Sequence, residues 1–265
     1  MRLTSRLLEF VPRSAQESPY WEPFLGGASL FLALRPHHAT VSDANRHLMQ
    51  FYECVKRHPD QIYKYLKRFS SHSSREQYYS IREQYNRGRP SVIQAARFLY
   101  LNRHSFNGVF RVNRNGEFNV PYGERDNYTI PTREEIHCVS LALQSAKLYT
   151  CSYAEILPKA RRGEFVYLDP PYPPLNGTSF FTHYTPDRFT EEDQRQLACV
   201  VGRLHRRKVH FMMTNADVPL VRELYDDYNM HTIRVSRSVT CKNVKHSVSE
   251  LVVTNYDVNV DEEAV

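Results

Sequence analysis

Short apolar runs alternate with amphipathic stretches along most of this chain, and the period changes in one region only. Residues 20–24 (Tyr-Trp-Glu-Pro-Phe) read as a short strand, followed by Leu25-Gly26-Gly27 and an apolar helix over residues 28–34. Residues 39–43 read as a second strand ending on an acid, Asp43, and residues 45–55 carry Leu48, Phe51, Tyr52 and Val55 at helical spacing. The alternation resumes near Thr132 with a helix to Ser145, a strand over 147–151, a short helix, and the wholly apolar Phe165-Val166-Tyr167-Leu168. A polar stretch over 173–188 precedes a helix over 191–206, a strand over 209–214 and a helix over 218–225. Strands over 231–235 and 250–255 close the pattern. Strands alternating with helices predict an α/β fold with a doubly wound sheet. The last two strands, joined without a helix, predict an antiparallel edge.

Between the two halves of that sheet the pattern is helical until Leu101, with helices predicted over 61–69, 74–85 and 91–101. After that the period shortens. Residues 109–112 and 117–120 flank Asn113-Arg114-Asn115-Gly116, a β-hairpin signal because Asn-Gly favours left-handed turn conformations. The segment 56–129 therefore reads as an insertion into a frame made of residues 1–55 and 130–256, with 257–265 a disordered acidic tail.

Charge sharpens this division. From Lys56 to Arg125, three lysines and eleven arginines against five acidic residues leave +9, so the rest of the +6 chain sums to −3. A basic insertion in a slightly acidic frame suits a polyanion, because phosphate neutralisation releases counterions; a solvated helical face would give a weaker version of the same pattern. At 265 residues and 41% hydrophobic, the chain can bury one substantial core with a subdomain attached. The five scattered cysteines read as reduced thiols of a cytoplasmic protein. The first thirty residues, with Arg2, Arg6, Glu9 and Arg13, predict neither a signal peptide nor a membrane span. None of the twelve histidines sits in a recognised ligand spacing with an acid, so no metal is assigned.

The chemistry concentrates where the Phe165 run stops, at Asp169-Pro170-Pro171-Tyr172. Proline cannot continue the strand, so Asp169 is expected at its carboxyl end, where open α/β sheets bind ligands. A carboxylate and an unpaired backbone carbonyl can accept both hydrogens of an exocyclic NH2, and the Tyr172 ring offers a face for a base to stack on. A strand ending in an ordinary Asp-Pro turn leaves Tyr172 unexplained. Gly26-Gly27 would let a ligand approach the backbone, although it is not a Gly-x-Gly-x-x-Gly fingerprint. Asp43 could accept both ribose hydroxyls of a nucleotide-like cosubstrate, or simply cap a helix. Arg111, near the base of the hairpin, could read guanine in a major groove, while an ordinary surface hairpin fits equally. Arg237, Lys242, Lys245 and His246 fall in a polar segment where phosphate contacts or mere solvation are both possible.

Taken in order, four segments resemble the Dam family of DNA adenine-N6 methyltransferases in its alpha arrangement. They are Glu22-Pro23-Phe24-Leu25-Gly26-Gly27-Ala28-Ser29, Ser42-Asp43-Ala44-Asn45, the stretch from Leu101 through Gly108 into Gly116 to Gly123, and Asp169 to Tyr172. The resemblance implies a Rossmann-like methyltransferase sheet with an inserted helical and β-hairpin DNA-recognition subdomain over 56–129. It implies S-adenosylmethionine as cosubstrate, held by Glu22, Phe24, Gly26, Asp43, Ser152, Tyr153 and Asp169. It implies Asp169, Pro170 and Tyr172 as catalytic residues. Asn107, Val109, Arg111 and Pro121 match the DNA-reading hairpin, with Arg111 the guanine reader of a GATC site in double-stranded DNA. The target adenine would be flipped from the duplex onto Tyr172, and the loop over 173–184, with Phe180 and Phe181, is placed to close over it.

One departure stands out. Family members begin with a Lys-Trp-Ala-Gly-Gly-Lys-like stretch that covers the cosubstrate, and here only Met1 to Tyr20 precede the first strand. Two readings stay open, a start codon placed late or impaired methyl-donor binding. The alternatives to adenine methylation are a DNA-binding module that no longer methylates and a cytosine-N4 or RNA adenine methyltransferase.

Overall fold

Seven strands build one sheet, and the burial of each strand matches its place in it. They are β1 (Tyr20–Glu22), β2 (Ala39–Asp43), β3 (Ala146–Thr150), β4 (Phe165–Leu168), β5 (His210–Ala216), β6 (Asn229–Ser238) and β7 (Lys245–Thr254), in the order β3-β2-β1-β4-β5-β7-β6. The computed structural model describes residues 3–71, 74–124, 129–173, 189–238 and 245–258, and of 235–238 and 245–248 the backbone alone. β4, central in the order, is buried at all four positions, and β5 is buried from Phe211 to Ala216, as strands covered on both faces must be. β1 runs parallel to β2 and β4, and β4 parallel to β5. β7 is antiparallel to both β5 and β6. The antiparallel edge thus forms as expected, with the last strand inserted between the two before it.

Ten α-helices form among the described residues: α1 (Leu3–Phe10), α2 (Ser29–Leu34), α3 (Arg46–Arg57), α4 (Pro59–Ser70), α5 (Arg75–Arg87), α6 (Val92–His104), α7 (Arg133–Gln144), α8 (Tyr153–Ile156), α9 (Glu191–Arg206) and α10 (Pro219–Leu224). Two compact units result, one formed by residues before 43 and after 150, the other by residues 43–150.

In the first unit α9 starts at a reciprocal cap: the Thr190 backbone N–H donates to Asp193 Oδ2 at 2.7 Å, and the Asp193 N–H donates to Thr190 Oγ1 at 3.3 Å. Leu197, Val201 and Leu204 then recur on one face and bury against Phe211, Met213 and Leu251. Each such side chain contributes about 1.5–3 kcal/mol of apolar burial. α1 buries Leu7 and Phe10 and clasps distant parts of the chain. Its Phe10 ring lies 5.2 Å from that of His231, and the Phe10 carbonyl accepts the Tyr256 hydroxyl at 2.9 Å.

The second unit is helical, with α6 packed against α3, α4 and α5. The expected hairpin strands over 109–112 and 117–120 do not form a regular ladder. Only isolated antiparallel bridges, Val112 with Phe118 and Ser105 with Tyr122, are present there. Side chains of α5 hold the outward-facing backbone groups of the second segment. The Asn86 amide donates to the Phe118 carbonyl at 3.1 Å and accepts its N–H at 2.9 Å, while the Tyr78 hydroxyl donates to the Val120 carbonyl at 2.9 Å. The turn also differs from expectation. Gly116 (φ 78°) has positive φ and Asn115 does not, and the Gly116 N–H donates to the Asn113 carbonyl at 2.9 Å while the Asn113 N–H donates to Glu117 at 2.8 Å. That arrangement is a type I turn closed by a glycine bulge.

His47 ties α3 to this ribbon. Its Nδ1 lies 2.7 Å from the Tyr85 hydroxyl, and its ring is 5.4 Å from that of Phe110. Burial first, and the Arg46 charge second, pull the His47 imidazole below the ordinary histidine value. The neutral ring accepts the Tyr85 proton, whose phenol burial pushes up. On acidification the unfolded chain, with histidines near 6.5, takes up protons before folded His47 does, so stability is complete above about pH 6.5 and falls as pH drops toward the lower folded value. The melting temperature is therefore expected to fall more steeply between pH 7 and pH 5 in the native chain than in His47→Leu. His104 and His231, also lowered chiefly by burial, contribute the residual slope. Equal slopes would remove His47 as a source of acid sensitivity.

Candidate active site

Asp169 stands where expected, one residue beyond the carboxyl end of β4, with an exposed side chain, while Pro170 behind it is buried. Proline offers no N–H to the ladder, so the backbone leaves the sheet at this point. Three neighbouring elements then fasten the tetrad. From β5, Thr214 Oγ1 donates to Asp169 Oδ1 at 2.8 Å. From α9, Gln194 Nε2 donates to the Pro171 carbonyl at 2.9 Å. Gln194 Oε1 is held by Asn215 Nδ2 at 3.2 Å, and Asn215 Oδ1 accepts the Ala216 N–H at 2.8 Å. From β7, Glu250, 1% exposed, accepts the Tyr172 hydroxyl at 3.2 Å. A carboxylate at the carboxyl end of a central strand, beside a half-buried ring held by its hydroxyl, can grip an amino group while the attached base lies on the ring.

The expected cosubstrate residues of the same unit fall into three local settings. Glu22 ends β1 and is buried, with Oε2 accepting the Tyr20 hydroxyl at 2.7 Å. Burial, then the Glu22 charge, hold the Tyr20 phenol well above its usual value, so it remains a donor. After Glu22 the chain turns tightly, the Ala28 N–H donating to the Leu25 carbonyl at 2.6 Å. Gly26 adopts φ 45° in this turn, and an added Cβ would meet nothing nearer than 4.0 Å, so conformation rather than space calls for glycine. The Phe24 and Tyr153 rings meet with centroids 5.3 Å apart, and Phe189 packs edge-on against Phe24 at 6.1 Å. Ser152 is occupied locally: its N–H and hydroxyl both reach Glu155 Oε2, at 2.8 and 3.0 Å, at the start of α8.

In the second unit Asp43 is not the helix cap. Asn45 caps α3, accepting the His47 and Leu48 N–H groups at 3.0 and 3.3 Å, and Asp43 Oδ1 accepts the Asn45 N–H at 2.8 Å. Of the expected DNA-reading residues, Asn107, Arg111 and Pro121 are exposed and Val109 is half-buried. Asn107 holds φ 56°, uncommon outside glycine. Arg111 Nε donates to Asn119 Oδ1 at 2.9 Å across the hairpin. Part of the basic window is spent on exposed pairs such as Arg75 with Glu124 at 2.9 Å and Arg87 with Glu83 at 2.7 Å, each worth little.

The closing loop with Phe180 and Phe181, Lys242, and the side chains of Arg237, Lys245 and His246 lie outside the described residues, as do residues 259–265. No described helix is long and apolar enough to cross a membrane. Thr214, Gln194, Asn215 and Glu250 were not anticipated. Their signal was polar residues at buried positions of a strand or helix otherwise lined by apolar ones, as in His-Phe-Met-Met-Thr-Asn-Ala.

Known proteins share this sequence along most of its length. A Type II methyltransferase of Lactococcus lactis subsp. cremoris is 38% identical over 244 residues, covering 89% of this chain and 86% of the relative. A Type II methyltransferase of Methanocaldococcus jannaschii is 34% identical over 276 residues, covering 96% and 95%. The DNA adenine methylase of Escherichia coli is 36% identical over 221 residues, covering 83% and 79%. The family model for D12 class N6 adenine-specific DNA methyltransferases matches residues 1–239. The chain is a member of that class and an adenine-specific DNA methyltransferase.

Proposed function

We propose that this methyltransferase takes its methyl group from S-adenosylmethionine and places it on N6 of adenine within GATC in duplex DNA, with Asp169, Pro170 and Tyr172 acting on the extruded base. The observation that carries this reading is the exposed Asp169 carboxylate held at the end of β4 beside Tyr172. The residues suit the cosubstrate: a tight glycine turn, a buried Glu22 and the Phe24–Tyr153 ring pair surround the end of β1, and Asp43 ends β2. Bound there, S-adenosylmethionine would supply an electrophilic methyl on a sulfonium.

The protein's task is to make a poor nucleophile attack. The amino nitrogen of adenine shares its lone pair with the ring. Accepting one of its hydrogens at Asp169 and the other at the Pro170 carbonyl draws the nitrogen toward tetrahedral geometry and returns the lone pair to it. The Pro171 carbonyl accepts from Gln194 Nε2 at 2.9 Å, which supports the reading of the Pro170 carbonyl as the second acceptor. Positioning and electrostatics then account for the rate without a covalent intermediate. Extruding the base costs a few kcal/mol, which stacking on Tyr172 offsets in part. Residues 56–129 serve as the target-recognition insertion, with Asn107, Val109, Arg111 and Pro121 reading the duplex.

Methyl-labelled S-adenosylmethionine and short duplexes that differ only at the GATC site test this. Label recovered as N6-methyladenine from the GATC duplex, and not from a GTTC control, is the expected result. Label on cytosine, or equal label in both duplexes, would overturn the base or the site.

A further inference from the structure

An exposed aspartate can turn its carboxylate through a broad, roughly two-fold torsional profile. A group that must meet one particular hydrogen therefore needs a support. The register supplies one: Leu168 pairs with Met213, so Thr214 comes beside Asp169. Thr214 is 1% exposed, and its Oγ1 lies 2.8 Å from Asp169 Oδ1, 3.1 Å from the Tyr167 hydroxyl and 3.4 Å from the Leu168 carbonyl. A hydroxyl has one hydrogen to give. The carboxylate is both the nearest of these acceptors and the charged one, so it receives that hydrogen, and Thr214 accepts from Tyr167 in turn. Burial first, and the Asp169 charge second, hold the Tyr167 phenol well above its usual value, which keeps it a donor. Donation then runs one way, from Tyr167 to Thr214 to Asp169.

We propose that Thr214, backed by Tyr167, is a positioning residue for methyl transfer: it fixes Oδ1 of Asp169 and so aims the other carboxylate oxygen at the amino hydrogen of the target base. This rests on the reading of Asp169 as that hydrogen's acceptor. Thr214 touches no substrate atom, and its effect passes through the carboxylate.

Single-turnover methyl transfer with S-adenosylmethionine and a GATC duplex tests it in the 265-residue chain. Thr214→Val keeps the side-chain shape and removes the hydroxyl. It is expected to slow transfer about 10- to 100-fold, the range for a lost charged hydrogen bond, with the duplex Kd changed less than about twofold. Thr214→Ser, which restores the hydroxyl, should recover transfer to within about threefold of the native rate. Tyr167→Phe should slow transfer several-fold, and adding it to Thr214→Val should cost nothing more, because the chain is already cut. An unchanged rate in Thr214→Val, or a serine variant as slow as the valine one, would overturn the proposal. If Thr214→Val does not fold, Tyr167→Phe decides, and a native rate there counts against it. Asp169→Ala run alongside separates the two failures. If it still turns over, the reading of Asp169 fails; if it is inactive while Thr214→Val is native-like, the role of Thr214 alone fails.

Discussion

Asp169→Ala is expected to lower single-turnover methyl transfer by about three orders of magnitude while duplex binding stays within a few-fold of native. The size follows from what the carboxylate does. In the proposed role its hydrogen bond to the amino group would strengthen as the nitrogen gains positive charge in the transition state, so its loss should fall on the chemical step and not on ground-state binding. Removal should leave the fold intact, because the side chain is exposed and the segment remains fastened through Pro171 to Gln194 and through Tyr172 to Glu250. Asp169→Asn separates charge from geometry. It keeps one carbonyl oxygen as acceptor and should lie between alanine and the native chain. A duplex with 2-aminopurine at the target position reports extrusion independently, since its fluorescence rises on leaving the stack. Asp169→Ala should still extrude the base if stacking on Tyr172 supports the flipped state. Native turnover in the alanine variant would end the assignment.

Local features of the fold were legible because local chemistry dictates them. β4 could be bounded because Phe165 to Leu168 is wholly apolar and Pro170 bars its continuation, and the helix expected over 191–206 forms as α9, with a reciprocal Thr190–Asp193 cap ahead of Leu197, Val201 and Leu204. What escaped reading depends on distant partners. α1 packs against α2 and is tied besides to β6 and Tyr256, more than two hundred residues away, and nothing within Leu3 to Phe10 announces those distant partners. The placing of β7 between β5 and β6 is likewise a matter of sheet order, on which hydrophobic period is silent. The hairpin segment forms a turn where expected, yet its cross-strand bonds, Asn113 with Glu117 and Asn119 with Arg111, extend into no regular ladder, and Asn86, Tyr78 and Arg82 of α5 hold the outward-facing backbone groups of Phe118 and Val120. At the site, Asp169, Pro170 and Tyr172 could be read as one contiguous motif. Thr214, Gln194 and Glu250, which hold that motif, come from three separate elements and converge only on folding.

Arg111→Ala is expected to relax base choice at a single position of the recognition site, narrowing discrimination there by about 1–3 kcal/mol, or roughly 5- to 150-fold. For the proposed base contact, the hairpin geometry favours one part of the guanidinium. Arg111 Nε donates to Asn119 Oδ1 at 2.9 Å and the residue is exposed, so the two terminal nitrogens are the donors through which a base would be met. Paired contacts to O6 and N7 of guanine need those two nitrogens. Lysine at 111 keeps the charge and loses the fork, so Arg111→Lys should preserve affinity for phosphate-rich duplex while discrimination falls almost as far as in the alanine variant. Asn119→Ala frees Nε without touching the fork, and a smaller loss follows, because the side chain must now be ordered on binding. These outcomes are read by comparing kcat/KM on GATC with kcat/KM on duplexes carrying each single substitution of guanine. A uniform loss across all duplexes would make Arg111 a phosphate contact, since backbone contacts weaken every sequence alike. A loss confined to one substituted position, matched by arginine-to-lysine and only partly by Asn119→Ala, is the pattern a base-reading guanidinium aimed by Asn119 must give.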